Sequence, residues 1–151
     1  MKRIAAVVIA AFMMTSCGGS DTPSPDGGPL DTGFAKTWTG DLSMTCVGVG
    51  TSVYPGGTTT ITVSDKSLMA RLSCEDGSGL NVTATGSRKT AVWTGSFSCP
   101  PNPVGTCATW VFTRTSVTYT LNPNGTLTAS GVGTLAGCGI VTDCTTLFNG
   151  T

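Results

Sequence analysis

The sequence predicts an all-β domain built as an antiparallel meander of eight or nine strands. Residues 36–151 are rich in threonine, serine, glycine and valine, which favour strands and turns, and poor in strong helix formers. Apolar and polar residues alternate along successive short segments, which is the period of a half-buried strand. Turn-forming residues separate these segments, and no stretch has a helical period longer than a turn or two.

The alternation assigns one inward and one outward face to each strand. In the first segment Trp38, Leu42, Met44 and Cys46 share one parity, while threonine, serine and Asp41 occupy the other. The same pattern recurs further along the chain. Its inward residues are Ile61 and Val63; Leu68, Ala70 and Leu72; Leu80, Val82 and Ala84; Ala91, Trp93 and Phe97; Trp110 and Phe112; Val117, Tyr119 and Leu121; Leu127 and Ala129.

Short connections indicate that neighbouring segments pair with each other. The clearest is Asn122-Pro123-Asn124-Gly125, because Asn-Gly accepts the positive φ of a tight turn. Strands that are apolar on one face must bury that face, and an up-and-down β-barrel does so while removing exposed edges. The barrel is therefore favoured, with a two-sheet β-sandwich as the alternative.

The N-terminus has the layout of a secretory signal peptide over residues 1–16. Lys2 and Arg3 precede an apolar run, residues 4–14, that spans only about 16 Å as a helix, against a hydrocarbon core of about 30 Å. Met14-Thr15-Ser16-Cys17 resembles the lipobox of bacterial lipoproteins. The resemblance implies cleavage before Cys17, lipidation of that cysteine and anchorage in the cell envelope. Gly18, where aspartate would signal retention in the inner membrane, favours the outer membrane, on its periplasmic or surface face.

Residues 17–35 are predicted to be the lipidated cysteine and a flexible tether, and residues 36–151 the β domain. Glycine, serine, proline and aspartate dominate residues 18–33, which as a coil reach roughly 22 Å. Asp31-Thr32-Gly33 matches the triplet of aspartic proteases, but it lies in the tether and lacks the preceding apolar strand. A protease site is therefore rejected.

Cysteine usage predicts a disulfide-stabilised exported domain. The chain has seven cysteines, and setting Cys17 aside leaves six, an even number that suits three disulfides in an oxidising compartment. Zinc is disfavoured because the chain has no histidine and no C-x-x-C pair. Six cysteines allow 15 pairings. Strand direction and loop position favour Cys46–Cys74, Cys99–Cys107 and Cys138–Cys144.

The sequence carries no recognisable catalytic constellation. Without histidine there is no Ser-His-Asp triad, and no G-x-S-x-G elbow or phosphate-binding glycine motif occurs. We therefore expect no enzyme activity, no cofactor and no metal site. Removing Lys2 and Arg3 leaves six basic residues against eight acidic ones, a net charge of −2, so nucleic acid is not an expected partner.

The aromatic residues of the domain allow two interpretations. Trp38, Trp93, Trp110, Phe97 and Tyr119 either fill a core or line a ligand cavity, since an eight-stranded barrel is just wide enough for either. Lys36-Thr37-Trp38-Thr39-Gly40 resembles the opening tryptophan strand of lipocalin-type barrels. That resemblance implies a small-ligand cavity.

The leading functional hypothesis is a non-catalytic envelope or surface lipoprotein, a disulfide-stabilised β module with a structural or protein-interaction role. One alternative is a carrier of a small apolar ligand. Another is an exported protease inhibitor that presents the proline-rich loop between Cys99 and Cys107. The expected partners are the membrane, through the lipid anchor, and either an unknown protein or a small apolar molecule.

Overall fold

A computed structural model of the protein describes residues 27–104 and 107–151, with the side chains of residues 102–108 outside the description. In this part of the chain ten antiparallel strands form one sheet. The prediction of an all-β antiparallel meander is confirmed. The strands are β1 (Thr37–Cys46), β2 (Gly50–Thr60), β3 (Thr62–Ser64), β4 (Ser67–Ser73), β5 (Gly79–Ser87), β6 (Thr90–Ser98), β7 (Asn102–Val104), β8 (Cys107–Leu121), β9 (Leu127–Gly137) and β10 (Ile140–Gly150).

The sheet curls on itself into a half-barrel. Its strand order is β2-β1-β10-β9-β8-β6-β5-β4-β3, with β7 added beside β8. The two edge strands, β2 and β3, are successive parts of one run of chain with only Ile61 between them. This run pairs with β1 through its first part and with β4 through its second, so the sheet closes at one end. At the other end β2 and β4 diverge, and the barrel is open.

Strand β8 is a single strand of 15 residues. The alternation in the sequence instead predicts two segments there, one with Trp110 and Phe112 and one with Val117, Tyr119 and Leu121. The pairing register with β9 shifts between Arg114 and Ser116, which leaves Thr115 as an extra residue. A bulge of this kind reverses the parity of the side chains that follow it. Phe112 before the bulge and Val117 after it therefore both face the interior.

The core fills the closed end of the half-barrel. Its largest fully buried side chains are Trp38, Phe34, Ile61, Leu68 and Leu127. The indole Nε1 of Trp38 donates a hydrogen bond to the carbonyl oxygen of Phe34 at 3.0 Å, so this ring is both packed and satisfied.

The predicted tether boundary at residue 35 is wrong for residues 30–34. Leu30 is 4% exposed and Phe34 fully buried, and both belong to the main core. Leu30 and Asp31 bond through their backbone amides to the carbonyl oxygens of Asp65 and Arg88, in the turns at the closed end. Two isolated apolar side chains in a polar segment therefore dock the start of the domain.

The three predicted disulfide pairings are wrong. Cys46 is bonded to Cys144, with their Cα atoms 4.1 Å apart, and Cys74 is bonded to Cys99, with Cα atoms 5.6 Å apart. The reason for the first is that β1 pairs with β10, which places Cys46 directly opposite Cys144. Cys138 is also disulfide-bonded, to a cysteine other than Cys144.

No helix within the described residues has the length and hydropathy that crossing a membrane requires.

Candidate functional site

The open end of the half-barrel contains a cavity of about 570 Å³. This volume falls in the range of sites that hold small molecules, roughly 300–1,000 Å³. The apolar walls come from the inner faces of β1, β8 and β9, and the rim from β2, the β4–β5 turn and the chain after β6. The wall residues are Leu42, Met44, Trp110, Phe112 and Leu135; Arg114 and Thr146 lie at the base; Tyr54, Glu75, Asp76, Pro100 and Pro101 lie at the rim.

Two glycines on β9 lie next to aromatic rings of the cavity wall. A Cβ atom at Gly133 would lie 3.0 Å from Cε2 of Phe112, and one at Gly137 would lie 2.9 Å from Cε3 of Trp110. These separations are too short for a real side chain, so both aromatic rings lie against the β9 backbone. Glycine at both positions therefore allows the two rings to pack against β9.

Arg114 is the only charged side chain that the described residues bury. It is 8% exposed and lies on β8 between Phe112, toward the open end, and Val117, toward the core. Its guanidinium carbon is 5.4 Å from the centroid of the Phe112 ring. Its Nε atom donates to no acceptor in the described part of the chain. A buried guanidinium with an unused donor is costly, because desolvation is not offset by a hydrogen bond.

The electrostatics around Arg114 contain no compensating anion among the described residues. Burial lowers the pKa of Arg114, and Tyr119 acts weakly in the opposite direction; no carboxylate contributes. Burial also raises the pKa of Tyr119 to about 12, opposed by Arg114, so this phenol is neutral at physiological pH. The guanidinium remains protonated in proteins. The base of the cavity thus carries one positive charge in apolar surroundings.

The carboxylates at the rim are held by other groups. Tyr54 of β2 hydrogen-bonds Glu75 in the β4–β5 turn, across the gap where β2 and β4 diverge. Burial first, and then this bond and the Glu75 charge, raise the pKa of Tyr54. Asp76 accepts from the amide and hydroxyl of Ser78 at 3.0 and 2.6 Å, which lowers its pKa. The β4–β5 turn is also fixed by the Cys74–Cys99 disulfide.

Of the five aromatic residues predicted as cavity walls, only Trp110 lines the cavity. Trp38, Trp93 and Tyr119 are buried in the core at the closed end, and Phe97 packs against that core. For these four residues the core interpretation is the correct one. Asp31 of the Asp-Thr-Gly triplet accepts a hydrogen bond from the Gly33 amide at 2.8 Å and caps a short 3-10 turn, Thr32–Phe34.

Two other predicted features fall outside the description. Cys17, the predicted lipidation site, precedes the described residues, and the side chain of Cys107 is not described. The residue that sequence reasoning missed is Arg114. A signal was present, because Arg114 shares the parity of Trp110 and Phe112 and so is a lone basic residue on an apolar stripe.

A search of family models, of curated proteins and of solved structures found no match to this chain.

Proposed function

We propose that the domain is a non-catalytic carrier that holds one small, largely apolar molecule in the open end of the half-barrel. The observation that carries this proposal is the 570 Å³ cavity with apolar walls and, at its base, a buried arginine whose Nε has no hydrogen-bond partner among the described residues. A module with a purely structural role gains nothing from a hollow that forfeits packing contacts. Of the three hypotheses drawn from the sequence, the carrier is therefore the one the geometry supports best.

Anchorage by a lipid on Cys17 is part of the same proposal. The described chain enters the barrel at the closed end, where Leu30 and Asp31 bond to the turns around Asp65 and Arg88. The cavity opens at the opposite end. A carrier tethered in this way presents its mouth away from the point of attachment, so we expect it to exchange ligand with the surrounding compartment or with a partner.

A protein-interaction role is the second candidate, favoured by an apolar surface at the open end. Val47 in the β1–β2 turn is 74% exposed and Val141 at the start of β10 is 76% exposed. The two segments touch, since the Val47 amide donates to the Asp143 carbonyl oxygen at 3.0 Å. Exposed apolar residues close together are typical of docking surfaces. The inhibitor hypothesis loses its premise, because Cys99 pairs with Cys74 and not across the loop.

The carrier is tested with a neutral apolar fluorophore, N-phenyl-1-naphthylamine, titrated into the exported chain carrying Cys17→Ala. We expect saturable enhancement of fluorescence at one site. Leu135→Trp enlarges a side chain of the cavity wall and should weaken binding at least about tenfold, equivalent to about 1.4 kcal/mol.

Val132→Trp is the matched control, because Val132 lies on the same strand but faces outward and is 48% exposed. It should bind the fluorophore as the parent does. Equal binding by the parent and both variants would place the fluorophore outside the cavity and count against the carrier.

A further inference from the structure

We infer that the ligand is a single-chain amphiphile with one anionic head, and that Arg114 binds this head while the apolar walls hold the body. This inference rests on the proposed carrier function and specifies the chemical class of its ligand. Arg114 lies where the cavity meets the core and is more than nine-tenths buried.

The described residues do not compensate the positive charge of Arg114. A cation in an apolar site is stable only when an anion or hydrogen-bond acceptors compensate for its lost hydration. Among the described residues Arg114 Nε has no acceptor, and no carboxylate offsets the effect of burial on the side chain. The carboxylates of Glu75 and Asp76 are held at the rim by Tyr54 and Ser78. The missing acceptor is therefore best supplied by a ligand.

The shape of the guanidinium and the order of the surfaces in the cavity fit an anionic head followed by an apolar body. A guanidinium presents its donors in a planar fork that matches two oxygens of a carboxylate. Thr146, which is 5% exposed, adds a hydroxyl at the same base of the cavity. Toward the open end the walls are Leu42, Met44 and Phe112, which offer no charge. A head with one negative charge, followed by an apolar body, complements this order of surfaces.

The volume of the cavity limits the size of the ligand. A volume of 570 Å³ suits one drug-sized molecule. A carboxylate on one alkyl chain meets this limit, whereas a two-chain phospholipid exceeds it. A single positive charge also selects for a monoanion, since a second unpaired negative charge would have to be desolvated without compensation.

The test compares dodecanoate with dodecanol by isothermal titration calorimetry on the exported chain with Cys17→Ala. We expect the parent to bind dodecanoate at least about tenfold more tightly than dodecanol, the range for a charge-assisted hydrogen bond. Arg114→Met should abolish this preference while retaining dodecanol binding. Arg71→Met is the matched control, because it removes one positive charge from an exposed side chain outside the cavity, and it should retain the preference.

Folding of the variants is checked by circular dichroism and thermal unfolding. Arg114→Met should unfold at a higher temperature than the parent, because it replaces a buried unpaired charge by an apolar side chain. If that variant failed to fold, Arg114→Lys would keep the charge, lose the planar fork and show a reduced preference for dodecanoate.

Equal binding of the two probes by the parent, or a preference that survives in Arg114→Met, would overturn the inference while leaving the carrier intact. Failure of both probes and of the neutral fluorophore would overturn the carrier itself. Vesicles of phosphatidylglycerol form a further arm. Phosphatidylglycerol that remains bound to the protein after the vesicles are removed, detected by native mass spectrometry, would overturn the assignment of a single-chain ligand.

Discussion

Replacing Trp38 by alanine is expected to lower the free energy of unfolding by about 4 kcal/mol, the usual range for truncating a fully buried aromatic side chain. Trp38 has no exposed surface, and it joins β1 to the docked segment through its hydrogen bond to the Phe34 carbonyl oxygen. Truncation therefore leaves a cavity and frees that carbonyl. The measurement is urea unfolding followed by circular dichroism.

Trp110→Ala is the control for this prediction. Trp110 is only partly buried and lines the open cavity, so its truncation enlarges an existing hollow and should cost much less. Equal losses in the two variants would contradict the division of the barrel into a packed closed end and a hollow open end.

Removing the Cys46–Cys144 disulfide with Cys46→Ala/Cys144→Ala is expected to lower the free energy of unfolding by about 4 kcal/mol. The bridge joins residues 98 positions apart, and cross-links that close long loops restrict the unfolded chain most. The bridge also joins β1 to β10, the first and last strands of the barrel. The Cys74–Cys99 bridge spans only 25 positions, so Cys74→Ala/Cys99→Ala should cost about 1 kcal/mol less by the same relation.

Denaturant unfolding of both double variants under oxidising conditions shows which of them loses more free energy of unfolding. Peptide mapping of the parent without reduction provides the independent check. Recovery of a peptide pair containing Cys46 and Cys74 would contradict the connectivity on which this prediction is based.

Alternation is a local property, and it located β1, β3 to β6, β8 and the first part of β9, but not β2 or β10. The inward parities of Leu68, Ala70 and Leu72 are confirmed, as are those of Val82 and Ala84. Leu80 is 43% exposed although it shares their parity and lies opposite the buried Leu72 on β4. Parity alone does not record how far along a strand the core extends.

The disulfide pairings could not be deduced by the same means. Strand direction correctly places Cys46 and Cys74 at one end of the sheet, but the pairing partner depends on which strands become neighbours when the sheet curls. The pairing of β1 with β10 joins the two ends of the chain within the sheet, and it brings Cys144 opposite Cys46. Residues 98 apart in the chain have no local signal of that contact.

Of the five aromatic residues that could have lined a cavity, four fill or adjoin the core and only Trp110 lines the cavity, for a related reason. Trp38 and Trp93 belong to the core of the closed end, while Phe112 and Trp110 pack against glycines of β9 at the open end. This contact joins two strands, so alternation within one strand does not show it. Arg114 shares the inward parity of Phe112, whereas Val117 faces the same interior only because of the bulge at Thr115, which no periodic pattern predicts.

Native mass spectrometry of the exported chain with Cys17→Ala, purified from an oxidising compartment without detergent, tests the carrier most directly. We predict one reproducible added mass that dissociates on denaturation. The fraction of protein that carries this mass should fall in Leu135→Trp and stay unchanged in Val132→Trp. A bare protein mass, combined with no uptake of dodecanoate or of the neutral fluorophore, would contradict the account and leave the apolar surface around Val47 and Val141 as the better guide to function.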